Sequence, residues 1–355
     1  MTTLSEIDER MNMIKVMKNT IIILSVIVLL TSSGCSTIKN IESNKEPDVY
    51  VVGYEKNTKG TFIAKLWKNG IAQDLTDGTY HATANSVYVS GNDVYVSGSE
   101  LDESGRPTVA KLWKNDVVQD LSNRRAQHAS ALSVYVSDSD IYVAGYEMNV
   151  RNIPVAKLWK NGEVRNLTDG SRRATAYSVY VSDNDVYVAG YEYNKRGKEV
   201  AKLWKNGVAQ ELSDGTYYAW ALSVYVSGSD TYVAGWNNIQ SKGFAKLWKN
   251  GVVQDLINET NHASANSVYV LGSDVYVAGW KSSRQYKVAK LWKNGVAQDL
   301  TDGTRDAIAN SVHVSGNNVY VVGYEGNIAR IWRDGIAKDL TDGTYEAKAL
   351  SVFVK

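Results

Sequence analysis

From residue 48 onward, apolar and polar positions alternate in short runs, and the runs recur. In Ser223-Val224-Tyr225-Val226 and Thr231-Tyr232-Val233-Ala234-Gly235-Trp236 the β-branched and aromatic residues mark half-buried strands, and Gly228-Ser229 reads as the two-residue turn joining them. A loop of variable length follows. Two shorter runs then flank Asn250-Gly251, a dipeptide that favours a tight hairpin because both residues accept positive φ. The phrase D-V-Y-V-A-G-Y/W starts at Asp48, Asp93, Asp140, Asp185, Asp230, Asp274 and Asn318, a spacing of 44 to 47 residues. Seven copies fill the chain to its end. A period in the forties made of four short strands predicts an all-β fold, a seven-bladed β-propeller with four antiparallel strands per blade.

Counting outward from Asn69-Gly70 sets Lys65 opposite Asp74, and the same count pairs Lys111 with Asp120, Lys202 with Glu211, Lys246 with Asp255, Lys290 with Asp299 and Arg330 with Asp339. Only Lys157 faces an uncharged residue, Asn166. Opposite charges across two strands stabilise the pair by about 0.2–1 kcal/mol, so the recurrent base has a structural role. The seven tryptophans of the A-K-L-W phrase, Trp67 to Trp332, read likewise as blade packing. The repeats begin at a second strand, Asp48, and end at a first strand, Ser351 to Lys355. Joining the two completes the seventh blade, closes the ring and places the propeller at residues 48–355.

The N-terminus carries a different signal. Ile21 to Leu30 is apolar except for Ser25, follows Lys15 and Lys18, and precedes Thr31-Ser32-Ser33-Gly34-Cys35. A membrane span needs roughly 20 apolar residues, so this shorter run suits the core of a signal peptide, residues 1–34. The segment ending in Cys35 resembles the lipobox of bacterial lipoproteins, with Ser32 where Leu is usual; a plain secretory signal is the alternative, and Met11, Met13 or Met17 are alternative starts. The resemblance implies lipidation of Cys35 and a membrane anchor in the cell envelope. Ser36, rather than Asp, points by the same resemblance to the outer membrane or cell surface. Residues 35–47 then form a polar tether. Cys35 is the single cysteine, so no intramolecular disulfide is available to the folded part.

Composition agrees with the strand reading: 23 Tyr and 10 Trp against 3 Phe and 3 Pro. Lys plus Arg is 39 and Asp plus Glu is 38, a balance that predicts no nucleic-acid partner. The run S-V-Y-V-S-G-N-D-V-Y-V, continued by V-A-K-L-W-K-N-G, is similar to the seven-bladed β-propeller repeats of bacterial secreted and surface proteins. That likeness covers residues 48–355 and implies the fold more than any function. The tryptophan-aspartate signature of WD40 repeats is absent.

Chemistry is sparse. His81, His128 and His262 share one position before a first strand, with no recurrent acid or thiol beside them, so no metal or other cofactor is expected. No nucleophile elbow, phosphate loop or calcium loop is present, and no catalytic residue is assigned. Variation between copies concentrates in two loops per blade on one face, the loop after the second strand and the loop before the first, which marks that face for binding. There Trp220, Trp236, Tyr217 and Tyr218 form the candidate ligand site; even pairing sets Ala221 opposite Trp236 and Trp220 opposite Asn237. Trp220 stands where other copies have Thr83, Ser130, Thr175, Ser264, Ile308 and Lys348. Three functions follow, in order: a monomeric, non-enzymatic scaffold for a protein partner; a carbohydrate-binding propeller; and an enzyme, which would require convergent carboxylates of raised pKa.

Overall fold

The computed structural model describes residues 46–102, 108–122, 128–240, 242–256 and 262–355. The signal segment, Cys35 and the tether up to residue 45 lie outside the described residues, as do Gln127 and Asn261 of the variable loops. Among the described residues the chain forms 28 strands and no helix, gathered into seven four-stranded antiparallel sheets. Blade one holds Val49–Lys56, Phe62–Lys68 and Ile71–Asp74, with Ala347–Val354 as its first strand. Blades two to seven follow in chain order, and the first strands of successive blades touch one another around the axis. The fourth strands lie at the circumference and are exposed.

Each blade is set by local chemistry. Asn69 and Gly70 take φ of 53° and 84°, and Asn115 with Asp116 achieves the same turn at 47° and 69°. The predicted register of this hairpin holds in every blade, including Lys65 opposite Asp74 and Lys157 opposite Asn166. In five of the seven blades the base also takes an acid from the second strand: Lys65 Nζ lies 2.6 Å from Asp74 and 3.1 Å from Glu55, and Lys157, lacking an acid opposite, lies 3.0 Å from Glu147. These pairings accompany largely buried ammonium groups: Lys111 is 7% exposed beside two acids, and Lys246 is 6% exposed beside Asp255 alone.

The first hairpin departs from the even register. Every first strand carries a one-residue bulge, which in blade five lies between Ala221 and Ser223. Ala221 therefore faces Gly235, and Trp220 faces Trp236 rather than Asn237. The expected pairing of an aromatic with an alanine is corrected in the same way in the other blades that carry an aromatic there, as in Ser264 opposite Trp280. The extra residue, Leu222 here, turns the strand's phase between its two buried pairs, Ala219 with Ala221 and Val224 with Val226. The glycine opposite is required by space: a Cβ on Gly235 would stand 2.0 Å from the Trp220 carbonyl oxygen, and the equivalent distance is 1.9 to 2.0 Å in all seven blades.

The core lies in the seams between blades. Tyr187, Ala189 and Leu203 of blade four pack against Ala219, Ala221, Val224 and Val226 of blade five, and the other six seams repeat this cluster. All seven A-K-L-W tryptophans are buried there, at 2% exposure or less. The inner edge of each first strand would leave N–H groups unpaired, and a serine answers this. Ser86 Oγ accepts from Val134 N–H at 3.3 Å, Ser133 from Val179, Ser178 from Val224, Ser223 from Val268, Ser267 from Val312, Ser311 from Val352 and Ser351 from Val87. Two residues further along, Tyr88, Tyr135, Tyr180, Tyr225, Tyr269, His313 and Phe353 form a closed ring about the axis, with neighbouring centroids 4.7 to 4.9 Å apart. Closure occurs as the termini predict: Val49–Lys56 pairs with Ala347–Val354, and Asp48 and Lys355 exchange backbone hydrogen bonds at 2.9 Å.

Candidate functional site

The loop face carries one groove position per seam, built from three side chains. The first is the second-strand residue after the close-approach glycine: Tyr54, Ser99, Tyr146, Tyr191, Trp236, Trp280 or Tyr324. The second lies three residues before the paired lysine of the third strand in the same blade, as Phe62, Thr108, Glu199, Gly243 and Lys287 do. Its backbone N–H reaches the next blade, from Phe62 to His81, Thr108 to His128 and Gly243 to His262, in each case onto the ring Nδ1 at 3.1 to 3.2 Å. The three recurrent histidines therefore serve as seam acceptors. The third side chain is the first-strand residue of the next blade, the position of Trp220.

Between blades four and five this groove is full. Trp220 stacks on Tyr191 at 5.5 Å and 17°, and its Nε1 donates to Glu199 Oε2 at 2.5 Å. The other Glu199 oxygen accepts from the Tyr193 hydroxyl at 3.0 Å; burial, with that carboxylate beside it, pushes the Tyr193 phenol up to about 12, which keeps it a donor. Trp220 also meets Trp236 edge-on at 5.2 Å. Its indole is thus half-buried and braced on three sides.

Between blades five and six the same groove is open. The third-strand position is Gly243 and the first-strand position is Ser264, so among the described residues no side chain fills the space between Trp236 and Trp280. Gly243 does not have the positive φ that would call for glycine, and a Cβ there would meet its nearest atom, Ala263 O, at 3.5 Å, an ordinary contact. Its missing side chain, rather than its backbone freedom, makes the slot. The result is a hollow of about 420 Å³ lined by indole rings, Tyr177 and Leu222, with Asn238, His262 and Asn266 among its polar groups. That volume is within the range of small-molecule sites.

Of the four residues singled out in the sequence, Trp220 and Trp236 line the hollow. Tyr217 and Tyr218, 40% and 37% exposed, do not; the Lys198 ammonium sits 4.3 Å above the Tyr218 ring. Sequence reasoning missed Trp280, Gly243 and Ser264. The signal was present: blades five and six are the two copies with Gly-Trp where most have Gly-Tyr, and they are adjacent. The same two blades lose the second-strand acid of the ion-pair trio, with Asn237 and Lys281 in place of Glu. Among the described residues, no three His, Cys, Asp or Glu side chains are grouped to hold a metal ion.

No family model matches the chain, and no curated protein matches it. Among solved structures it is similar to the β-propeller domain of the Trilobed protease from Pyrococcus furiosus, at 11% identity and TM-score 0.53 over 84% of this chain and 95% of that one. It is also similar to Pyrococcus horikoshii acylaminoacyl peptidase, at 10% identity and TM-score 0.51, over 84% of this chain and 51% of that one. Trypanosoma rangeli sialidase aligns at 9% identity and TM-score 0.47 over 84% and 56% of the two chains. The likeness to the two Pyrococcus proteins is one of fold. The Pyrococcus furiosus domain is described as having an open velcro topology; in this chain the C-terminal strand closes the ring. The class defined by fold and topology is a seven-bladed β-propeller.

Proposed function

We propose that this protein is a non-catalytic binding module, exported and anchored to the cell envelope through a lipidated Cys35, that holds its ligand in the slot between blades five and six. The observation that carries the binding reading is the slot itself: a preformed aromatic hollow opened by two small residues in one seam of a ring whose neighbouring seam is filled. Loops on a rigid scaffold vary cheaply, whereas the strands beneath them are constrained by packing. The anchor reading rests on the signal-like run before Cys35 and on the polar tether that follows it.

Ligand-observed NMR with a mixed panel of sugars, short peptides and aromatic fragments tests the binding reading. Binders are expected to compete for one site and to be lost in Gly243→Phe, which places at blade five the side chain that blade one carries as Phe62. Binding unaffected by this change would move the site elsewhere. For the anchor, Cys35→Ala is expected to release the protein from the membrane fraction and abolish fatty-acid labelling; retention in the membrane would refute lipidation as the tether.

A second reading, a monomeric scaffold docking a protein partner across the loop face, is favoured by Tyr217, Tyr218 and Tyr345, each 37 to 40% exposed on that face. Cross-linking in the native envelope with the triple alanine variant checks it, with loss of the cross-linked partner expected.

A further inference from the structure

The slot between blades five and six has a chemistry that selects among ligands. Resting on the reading of this slot as the ligand seat, we propose that its occupant is an uncharged sugar ring. The slot is lined by the indole rings of Trp236, Trp280 and Trp220 and the phenol ring of Tyr177, groups that carry flat apolar faces. Such faces pack against the flat C–H face of a pyranose and leave its hydroxyls pointing to the sides.

Among the described residues, no charged side chain lines the hollow, and a charge beside its walls, the Lys287 ammonium, lies 4.7 Å from the Trp280 ring. The carboxylate nearest in sequence register, Glu199, has both oxygens committed to Trp220 and Tyr193. The second-strand acid that other blades carry is Asn237 in blade five and Lys281 in blade six. An ionic ligand seated here would lose hydration without gaining a counter-charge within the slot.

The polar groups complete the match. His262 Nδ1 accepts the Gly243 N–H at 3.1 Å, so the neutral ring carries its proton on Nε2 and offers a donor. Ser264 Oγ donates to Asn266 Oδ1 at 2.8 Å, and Asn266 Nδ2 donates to Ala309 O at 3.0 Å. Both side chains are thereby oriented, with oxygen lone pairs still able to accept. One donor and two acceptors beside an aromatic wall suit hydroxyl groups, each of which donates and accepts. A proline or aromatic peptide side chain would cover the same wall and leave those groups unpaired.

The test is a binding titration of the purified full chain against immobilised neutral glycans, acidic glycans and a proline-rich peptide, at low and high salt. Neutral glycans are expected to bind saturably and independently of salt, with affinity reduced about tenfold or more in both Gly243→Phe and Trp280→Ala and unchanged in Tyr218→Ala. Gly243→Thr, which copies Thr108 of blade two, replaces the phenylalanine variant if that one fails to fold. Salt-dependent binding of acidic glycans alone overturns the uncharged assignment. Peptide binding that needs Gly243, with no glycan bound, overturns the sugar class while leaving the slot reading intact. A folded chain for which no probe shows dependence on Gly243 overturns both.

Discussion

The two faces of the ring belong to the same repeated unit, and the copies differ far more on one face than on the other. On the turn face, Asp93 Oδ1 accepts from Asn115 at 2.7 Å, Lys114 lies 2.8 Å from the same carboxylate, and its ammonium sits 5.2 Å above Tyr95. This arrangement recurs around Asp140, Asp185, Asp230 and Asp274 with almost no change of distance. Blade seven keeps its geometry with the two polar residues exchanged, since Asp334 takes over the acceptor role of asparagine toward Val319. On the loop face the corresponding positions hold Phe62, Thr108, Glu199, Gly243 and Lys287. On the turn face each side chain closes a hairpin on its own blade, so its neighbours dictate its identity. On the loop face the side chains only cap a seam that Ala, Val and Trp have already sealed below, and they are free to diverge.

Four measurements probe that contrast. The largest effect is expected where both faces depend on one feature, the close-approach glycine. Gly190→Ala would force a Cβ to within 2.0 Å of the Thr175 carbonyl and should cost about 3 kcal/mol or more in urea unfolding. A midpoint equal to wild type would contradict the tight approach of first and second strands.

Next is the one titratable member of the axial ring outside the tyrosines. Burial holds His313 down at about 4, below its ordinary 6.5. As pH falls through that window the unfolded chain takes a proton that the folded ring resists, so stability drops, by up to about 3 kcal/mol near pH 4. His313→Tyr, which matches five other blades, should flatten the melting temperature across this window. The turn-face aspartates act lower still: hydrogen bonds from Lys and Asn hold their carboxyls below the usual range, so their contribution is present above it and is lost as pH falls through the depressed values.

Trp220→Ala removes a half-buried indole with three aromatic neighbours and should cost about 2 kcal/mol, read from the same urea titration. Glu199→Gln in that background should add little, because the carboxylate would have lost its indole donor. The smallest effect is expected at the open seam. Gly243→Ala adds a methyl in ordinary contact at a strand position and should leave stability within about 1 kcal/mol of wild type, or raise it.

Much of this fold was legible in the chain. The Asn-Gly turns set the outer hairpin register, and the mismatched termini foretold the shared blade. The inner hairpin was misjudged because pairing was counted as even. Yet the bulge leaves a trace, since buried residues run Ala219, Ala221, then Val224, Val226, with a step of three between two steps of two. The site was half legible. Trp220 and Trp236 stand out as unusual residues, whereas Gly243 and Ser264 act by what they lack, and a missing side chain is conspicuous only once its neighbours are known to surround it. The serine ring was overlooked for the opposite reason: a residue present in every copy looks like background until its hydroxyl is seen to reach the adjacent blade.

That serine ring also bears on how such a ring can grow. Every blade presents one hydroxyl acceptor to the next and one valine amide to the one before, so the bonding is head-to-tail and every joint is chemically the same. A duplicated blade would arrive with both halves of its own joints, and a deleted blade would leave none orphaned. The chemistry of the joints is therefore indifferent to number, and the circumference at which the seven axial side chains meet is left as the feature that counts the blades.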